Sequence, residues 1–152
     1  AAAGIQTAAL GFGGASDSDD SESYNGTSWT EVANMNTGRD ELGGIGAATA
    51  ALAVGGHPTN ANNELYNGTA WTEVADINTG RHAMGAAGTS TSGIIFGGNS
   101  GTAEAKSESW NGSAWTEVAD LSTAGNGGGS GNAAPNKECR NSCGGLKNYG
   151  RL

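Results

Sequence analysis

Two sets of glutamates recur in register. Glu22, Glu64 and Glu108 form one set, and Glu31, Glu73 and Glu117 the other. Paired carboxylates can serve as general acid and base when their surroundings separate their pKa values. A group copied three times at a fixed period argues instead for a scaffold, since an active centre seldom needs three equal copies. The expected partners are Arg39 and Arg81 of neighbouring units, which should also hydrogen-bond the backbone of the connecting segments. Asp17, Asp19 and Asp20 offer oxygens of the kind that bind Ca²⁺, but the stretch lacks the glycine and distal glutamate of an EF-hand loop, and the other copies have no such acidic run there. A solvated loop is the expectation. His57 and His82 occupy unlike positions with no third ligand in view, so zinc is not expected. Cys139 and Cys143 enclose three residues, which leaves a local disulfide, an interchain bridge and free thiols open. Asn25, Asn67 and Asn111 each begin an Asn-Gly-Ser/Thr sequon, and a hairpin turn explains the same residues without a glycan. We therefore expect no catalytic set, no metal and no cofactor, and read the chain as a non-enzyme.

The elements that hold these residues repeat. "YNGTSWTEVANMNTGR" from Tyr24 returns as "YNGTAWTEVADINTGR" from Tyr66, and an altered copy, "WNGSAWTEVADLSTAG", starts at Trp110. Trp29, Trp71 and Trp115 are spaced 42 and 44 apart, and the glycine pairs at 13–14, 55–56 and 97–98 are spaced 42 and 42. The two extra residues fall between Gly98 and Trp110. A period in the low forties with paired glycines and fixed aromatics predicts four short strands per unit. The second strand is clearest: Leu10/Phe12, Leu52/Val54 and Ile94/Phe96 share one face, while the other is mostly Ala or Gly. That small face should admit a neighbouring sheet at close range. The glycine pair should end the strand at a sharp turn. Asn-Gly then predicts a hairpin that places Tyr24 beside Trp29, Tyr66 beside Trp71 and Trp110 beside Trp115. The loops at 15–20, 57–63 and 99–106 differ in every copy and are expected on one face, where binding would engage Asp17, Asp19, Asp20, His57, Asn60, Asn62, Asn99 and Lys106.

Glycine at 28 of 152 residues argues against long helices. Residues 1–121 hold 14 acids against Arg39, Arg81 and Lys106, a balance of −11, and residues 122–152 hold four bases against Glu138, a balance of +3. An acidic body repels phosphates, so nucleic acid is not an expected partner. No stretch approaches the roughly 18 apolar residues of a membrane span. The first residue is alanine, and the expectation is a processed chain or part of a longer one.

Paired glycines after an apolar strand, then an aromatic, then a tryptophan resemble the blades of kelch-type β-propellers, over residues 1 to about 121. The aromatic-to-Trp spacing of five is tighter than in usual kelch blades. The phrasing of the repeat is also similar to kelch-like repeats in structural and tail proteins of marine bacteriophages. The resemblance implies an all-β, propeller-like fold of three four-stranded blades, about 1–36, 37–78 and 79–121. Residues 122–152 read by composition as a Gly-rich linker, flexible up to Gly131, and a basic, Cys-containing tail. Three blades fall short of the typical four to eight that close a ring. Pairing of two chains, a longer protein, and stacking into a fibre or trimeric knob all remain open, and we expect oligomerisation. The function so implied is a virion structural or adhesive protein, such as a tail fibre, spike or capsid decoration. It would lie outside the cell, with a homo-oligomer or other virion proteins as partners and a host-surface glycan or protein as target. The alternative is an extracellular bacterial glycan-binding or adhesion module.

Overall fold

The computed structural model describes residues 1–132, so Cys139, Cys143 and the basic tail lie outside the described residues. The described elements are all strands: β1 (Ala2–Ile5), β2 (Ala8–Gly14), β3 (Ser18–Tyr24), β4 (Trp29–Glu31), β5 (Gly43–Ala47), β6 (Ala50–Gly56), β7 (Asn60–Tyr66), β8 (Trp71–Val74), β9 (Gly85–Thr89), β10 (Ser92–Phe96), β11 (Ser107–Trp110), β12 (Trp115–Val118) and β13 (Ser130–Asn132). Each repeat is one antiparallel sheet with its strands in chain order. The fold is all-β, with three repeated four-stranded blades in a propeller-like arrangement.

Local chemistry accounts for each blade. In the first hairpin the Asn25 N–H donates to Ser28 O at 3.2 Å, while Asn25 Oδ1 accepts from the N–H groups of Thr27 and Ser28, both at 3.0 Å. Asn67 and Asn111 repeat the pattern. Only the glycine of each Asn-Gly takes a positive φ, 94° in all three, so asparagine acts through its side chain and not through backbone tolerance. The turn sets Tyr24 opposite Trp29, with ring centroids 5.1 Å apart; the other two pairs lie at 5.1 and 5.3 Å.

The glycine pairs do more than end a strand. In blades 1 and 2 they sit inside a ladder with a register shift. A Cβ at Gly13 would lie 2.7 Å from Arg39 O, and one at Gly55 2.5 Å from Arg81 O, so the exit segment of the blade passes where only glycine leaves room. The ladder also runs further than the side-chain pattern predicts. Gly14 pairs with Ser18 and Gly56 with Asn60, which puts Asp19, Asp20, Asn60 and Asn62 on strands and not in the expected loops. A ladder of backbone groups leaves no mark on a run of polar residues. In blade 3, which carries the insertion, β10 stops at Phe96 and Asn99 bridges to His82 and Ala103 instead.

The core lies between blades. The bulky trailing face of blade 1, Leu10, Phe12 and Met35, joined by Leu42 of the link that follows it, packs on Ala51, Ala53, Tyr66 and Trp71 of the leading face of blade 2. Leu52, Val54 and Ile77 of blade 2, with Met84 of the link that follows it, pack likewise on Ile95, Trp110 and Trp115 of blade 3. Phe12 meets Trp71 edge to face at 5.0 Å and 62°. The small residues on each leading face let the next sheet approach, as the pattern predicts.

The chain continues this path past residue 121. Gly98 N–H donates to Gly125 O at 2.8 Å, as Gly14 does to Arg39 O and Gly56 to Arg81 O at 3.1 Å. Strand β13 then lies parallel to β9, with Ser130 opposite Ala86, the same 44-residue offset as Trp71 to Trp115. The Gly-rich stretch, expected to be flexible up to Gly131, is therefore hydrogen-bonded along the third sheet over Ser130–Asn132.

Candidate functional site

Between consecutive blades sits a buried clasp. The segment after each fourth strand carries Asn-Thr-Gly-Arg, residues 36–39 and 78–81. Arg39 Nη2 lies 3.0 Å from Glu64 Oε1, and Arg39 Nη1 donates to Asn62 O at 2.5 Å and Gly55 O at 3.2 Å. Arg81 Nη2 lies 2.5 Å from Glu108 Oε1, and its Nη1 donates to Lys106 O at 3.1 Å. Both guanidinium groups and both carboxylates are fully buried. Burial pulls the pKa of each arginine down from its usual range, and the facing glutamate opposes that shift. The second carboxylate oxygen is filled as well. Asn36 donates to Glu64 Oε2 through its backbone N–H at 2.7 Å and Nδ2 at 2.8 Å, and Asn78 does the same to Glu108 Oε2, both at 2.8 Å. The arginines pair with glutamates of the repeat as expected, but only with Glu64 and Glu108, and their backbone acceptors are Gly55 and Asn62 of β6 and β7 and Lys106 before β11, not the connecting segments. Asn36 and Asn78 escaped that expectation. The signal was present: Asn-Thr-Gly-Arg is copied verbatim in two links, and the third reads Ser-Thr-Ala-Gly, residues 122–125.

At the end of the sheets opposite the Asn-Gly hairpins, the loops and links converge. His57 and His82, which looked unrelated in sequence, meet edge to face with centroids 5.2 Å apart. His57 Nδ1 lies 3.7 Å from Asp40 Oδ1, and His82 Nδ1 lies 2.5 Å from Glu41 Oε2. Asp40 and Glu41 precede β5 and were not singled out, because nothing in their local spacing points at histidines 17 and 41 residues further on. Asn99 exchanges backbone hydrogen bonds with His82 at 3.0 and 2.9 Å, and its Oδ1 accepts from Gly101 N–H at 2.8 Å.

Other expected binding residues serve the frame. Asn60 Oδ1 accepts from Asn62 N–H at 2.8 Å, Asn60 O accepts from Arg81 N–H, and Asn62 O receives Arg39. Asp20 is held by Ser18 Oγ at 3.0 Å and Asn34 Nδ2 at 3.3 Å. Asp17 takes a left-handed φ of 54° in the turn beside Gly38. Lys106 Nζ reaches Thr79 Oγ1 at 3.3 Å and stands 3.9 Å from Glu117 Oε1, an exposed pair of small energetic weight. Among the described residues no group of three or more His, Cys, Asp or Glu side chains converges on a point suited to a metal ion.

The outermost faces complete the picture. Trp71 and Trp115 are 5% and 7% exposed because a preceding blade covers them, and Trp71 Nε1 donates to Ser21 Oγ of blade 1 at 3.2 Å. Trp29, at the same place on blade 1, is 50% exposed, and Glu22 beside it faces solvent where Glu64 and Glu108 are buried. At the other end Ile94, Val118 and Leu121 of blade 3 lie open, whereas Leu52 and Ile77, the counterparts of Ile94 and Leu121 in blade 2, are covered. The molecule thus presents one leading face and one trailing face, each built like the faces it buries internally. No helix among the described residues is long and apolar enough to cross a membrane. No protein-family model matches the sequence, and no curated protein matches it.

Proposed function

We propose that this chain is a structural and adhesive module of a virion exterior, of the kind used in a tail fibre, spike or capsid decoration. It is a non-enzyme in which stacked blades form a stiff scaffold and the loop end is offered to a host-surface glycan or protein. The observation that carries the reading is the pair of open faces: Trp29 stands half out of water-free packing while its two counterparts are sealed by neighbouring blades. Exposed apolar surface of this construction marks association with further blades, from copies of the chain or from other virion proteins. The registered carboxylates support a frame over a reaction centre. Glu64 and Glu108 are saturated by arginine and asparagine, which leaves neither free to move a proton.

The loop end gives the target a chemical bias. Asp17, Asp19, Asp20, Asp40, Glu41 and Glu104 lie on or beside the loops there, against His57, His82 and the neighbouring Lys106. Such a surface favours neutral sugars or cationic protein patches over polyanions. The wording of the repeat, similar to that of phage tail-associated proteins, supports the virion assignment and says nothing of the target.

Two measurements test the reading. Mass spectrometry of density-purified particles should find the chain at structural copy number. The isolated protein should bind intact host cells, with binding reduced when Asp17, His57 and Asn99 are replaced by alanine together. Absence from the particles would remove the virion assignment, and unchanged cell binding by the triple variant would remove the loop end as the adhesive surface.

A further inference from the structure

We infer that the leading face of blade 1 is half of an arginine clasp, and that its occupant is the trailing blade of a partner polypeptide of this repeat type whose exit link keeps both Asn and Arg. This rests on the proposal that further blades cover the open faces, and it specifies which blades. A second copy of this chain, docking through its own third blade, is the wrong occupant.

The two internal interfaces define what a leading face requires. Its tryptophan lies on an aromatic or aliphatic trailing face, as Trp71 lies on Phe12. Its glutamate, sealed by the same contact, takes a guanidinium on one oxygen and an asparagine on the other. Blade 1 offers the same set: Trp29, Tyr24 and Glu22, with Ala9 and Gly11 as the small floor. Covering Trp29 therefore buries Glu22. A buried carboxylate without a cation is strongly unfavourable, so the covering blade must bring one.

The third blade of this chain has half of what is needed. Ile94, Phe96 and Val118 supply the apolar trailing face. The backbone of its exit link follows the same path as the first two, since Gly125 O accepts from Gly98 N–H as Arg39 O does from Gly14. But Ser122 stands at the clasp asparagine and Gly125 at the clasp arginine. Lys106, the remaining base among residues 1–121, is already beside Thr79 and Glu117 at the blade 2–3 junction. Head-to-tail docking of two identical chains would thus match in shape, and among the described residues no base of the third blade stands where it would meet Glu22. The same glutamate that favours an arginine-bearing blade rejects this one.

The variant Ser122→Asn/Gly125→Arg restores the missing donors and turns the chain's own third blade into a probe for the partner. A Cβ at Gly125 meets nothing within 4 Å, so the position accepts a side chain. Sedimentation velocity over a concentration series should show the native chain monomeric where the double variant forms rings or head-to-tail chains, an affinity gain of about a hundredfold or more. Adding Glu22→Gln to the double variant should return it to monomer, with circular dichroism confirming that all three proteins are folded. Tryptophan emission should shift to the blue on association as Trp29 is covered. If the native chain associates as tightly as the double variant, the arginine requirement is wrong while docking of further blades stands. If the double variant stays monomeric, the leading face takes no blade of this kind, and both the inference and the docking it builds on fall. If Glu22→Gln leaves association unchanged, the contact lies elsewhere and the inference is again overturned.

Discussion

At the scale of single residues, identical amino acids do different work according to what covers them. Glu22, Glu64 and Glu108 share a position in the repeat, but two are saturated and one faces water. Removing one partner of a buried ion pair leaves a charge without compensation and costs about 3–5 kcal/mol, whereas removing both can be far milder. Arg39→Met should therefore lower the stability in urea by about 3–5 kcal/mol, and the Arg39→Met/Glu64→Leu double variant should lose less than the sum of its single changes. Glu22→Gln should stay within about 0.5 kcal/mol of the native chain. Equal losses for Glu22→Gln and Glu64→Gln would show that the clasp contributes nothing specific. The pH behaviour follows from burial. The folded arginines release their protons at lower pH than the unfolded ones, so this contribution to stability rises with pH, and only in the alkaline window between the two values. Around neutrality both states hold these protons, and the two arginines add no slope to stability there.

At the scale of elements, each blade is held by turns that the sequence announces and by close approaches that it does not. The Asn-Gly turns, the aromatic pairs and the small leading face were all legible, because each depends on residues within one hairpin or one strand. The early starts of β3 and β7 were not, since ladders through Asp19 and Asn62 need no apolar alternation. The His57–His82 contact was hidden too, because the β6–β7 loop and the link into blade 3 bring it about and neither histidine's neighbours reveal it. Nor was β13: a run of Gly and Ser reads as a linker, and only the edge of β9 supplies the partner that makes Ser130–Asn132 a strand. The glycine pairs were read for half of their role, and the other half is testable. At Gly55 a Cβ would fall 2.5 Å from Arg81 O and 2.6 Å from Met84 Cε, on a backbone with φ of 60°. Gly55→Ala should destabilise by about 1–3 kcal/mol through strain and displaced packing. Gly125→Ala has open space around it and should change stability by no more than about 0.5 kcal/mol. Thermal melts of the two variants side by side decide the matter, since equal melting points would mean that the link can move away from the strand at little cost.

At the scale of the molecule, the blades form a short array in which each sheet is stabilised by what lies against its two faces. Blade 2 is covered on both, blade 1 lacks a neighbour on its leading face and blade 3 on its trailing face. In such an array stability is close to a sum of unit terms and nearest-neighbour terms, so protection should follow coverage more than sequence. That contrast is sharp because the hairpins are near copies: "YNGTSWTEV" in blade 1 and "YNGTAWTEV" in blade 2 differ at one residue. Any large difference in their opening free energy must come from packing. Native-state hydrogen exchange should therefore find the amides of β6, β7 and β8 slowest, with β4 exchanging far faster than β8 although both begin Trp-Thr-Glu. Within blade 3, β9 should outlast β12, because β13 shields its edge while Val118 lies open. The same ordering should appear under substitution. Trp71→Ala should cost about 3–5 kcal/mol as a core truncation, and Trp29→Ala a small fraction of that in the isolated chain. Uniform exchange across the three blades, or equal losses for the two tryptophans, would mean that each sheet stands alone and that contact between faces is not what holds this molecule together.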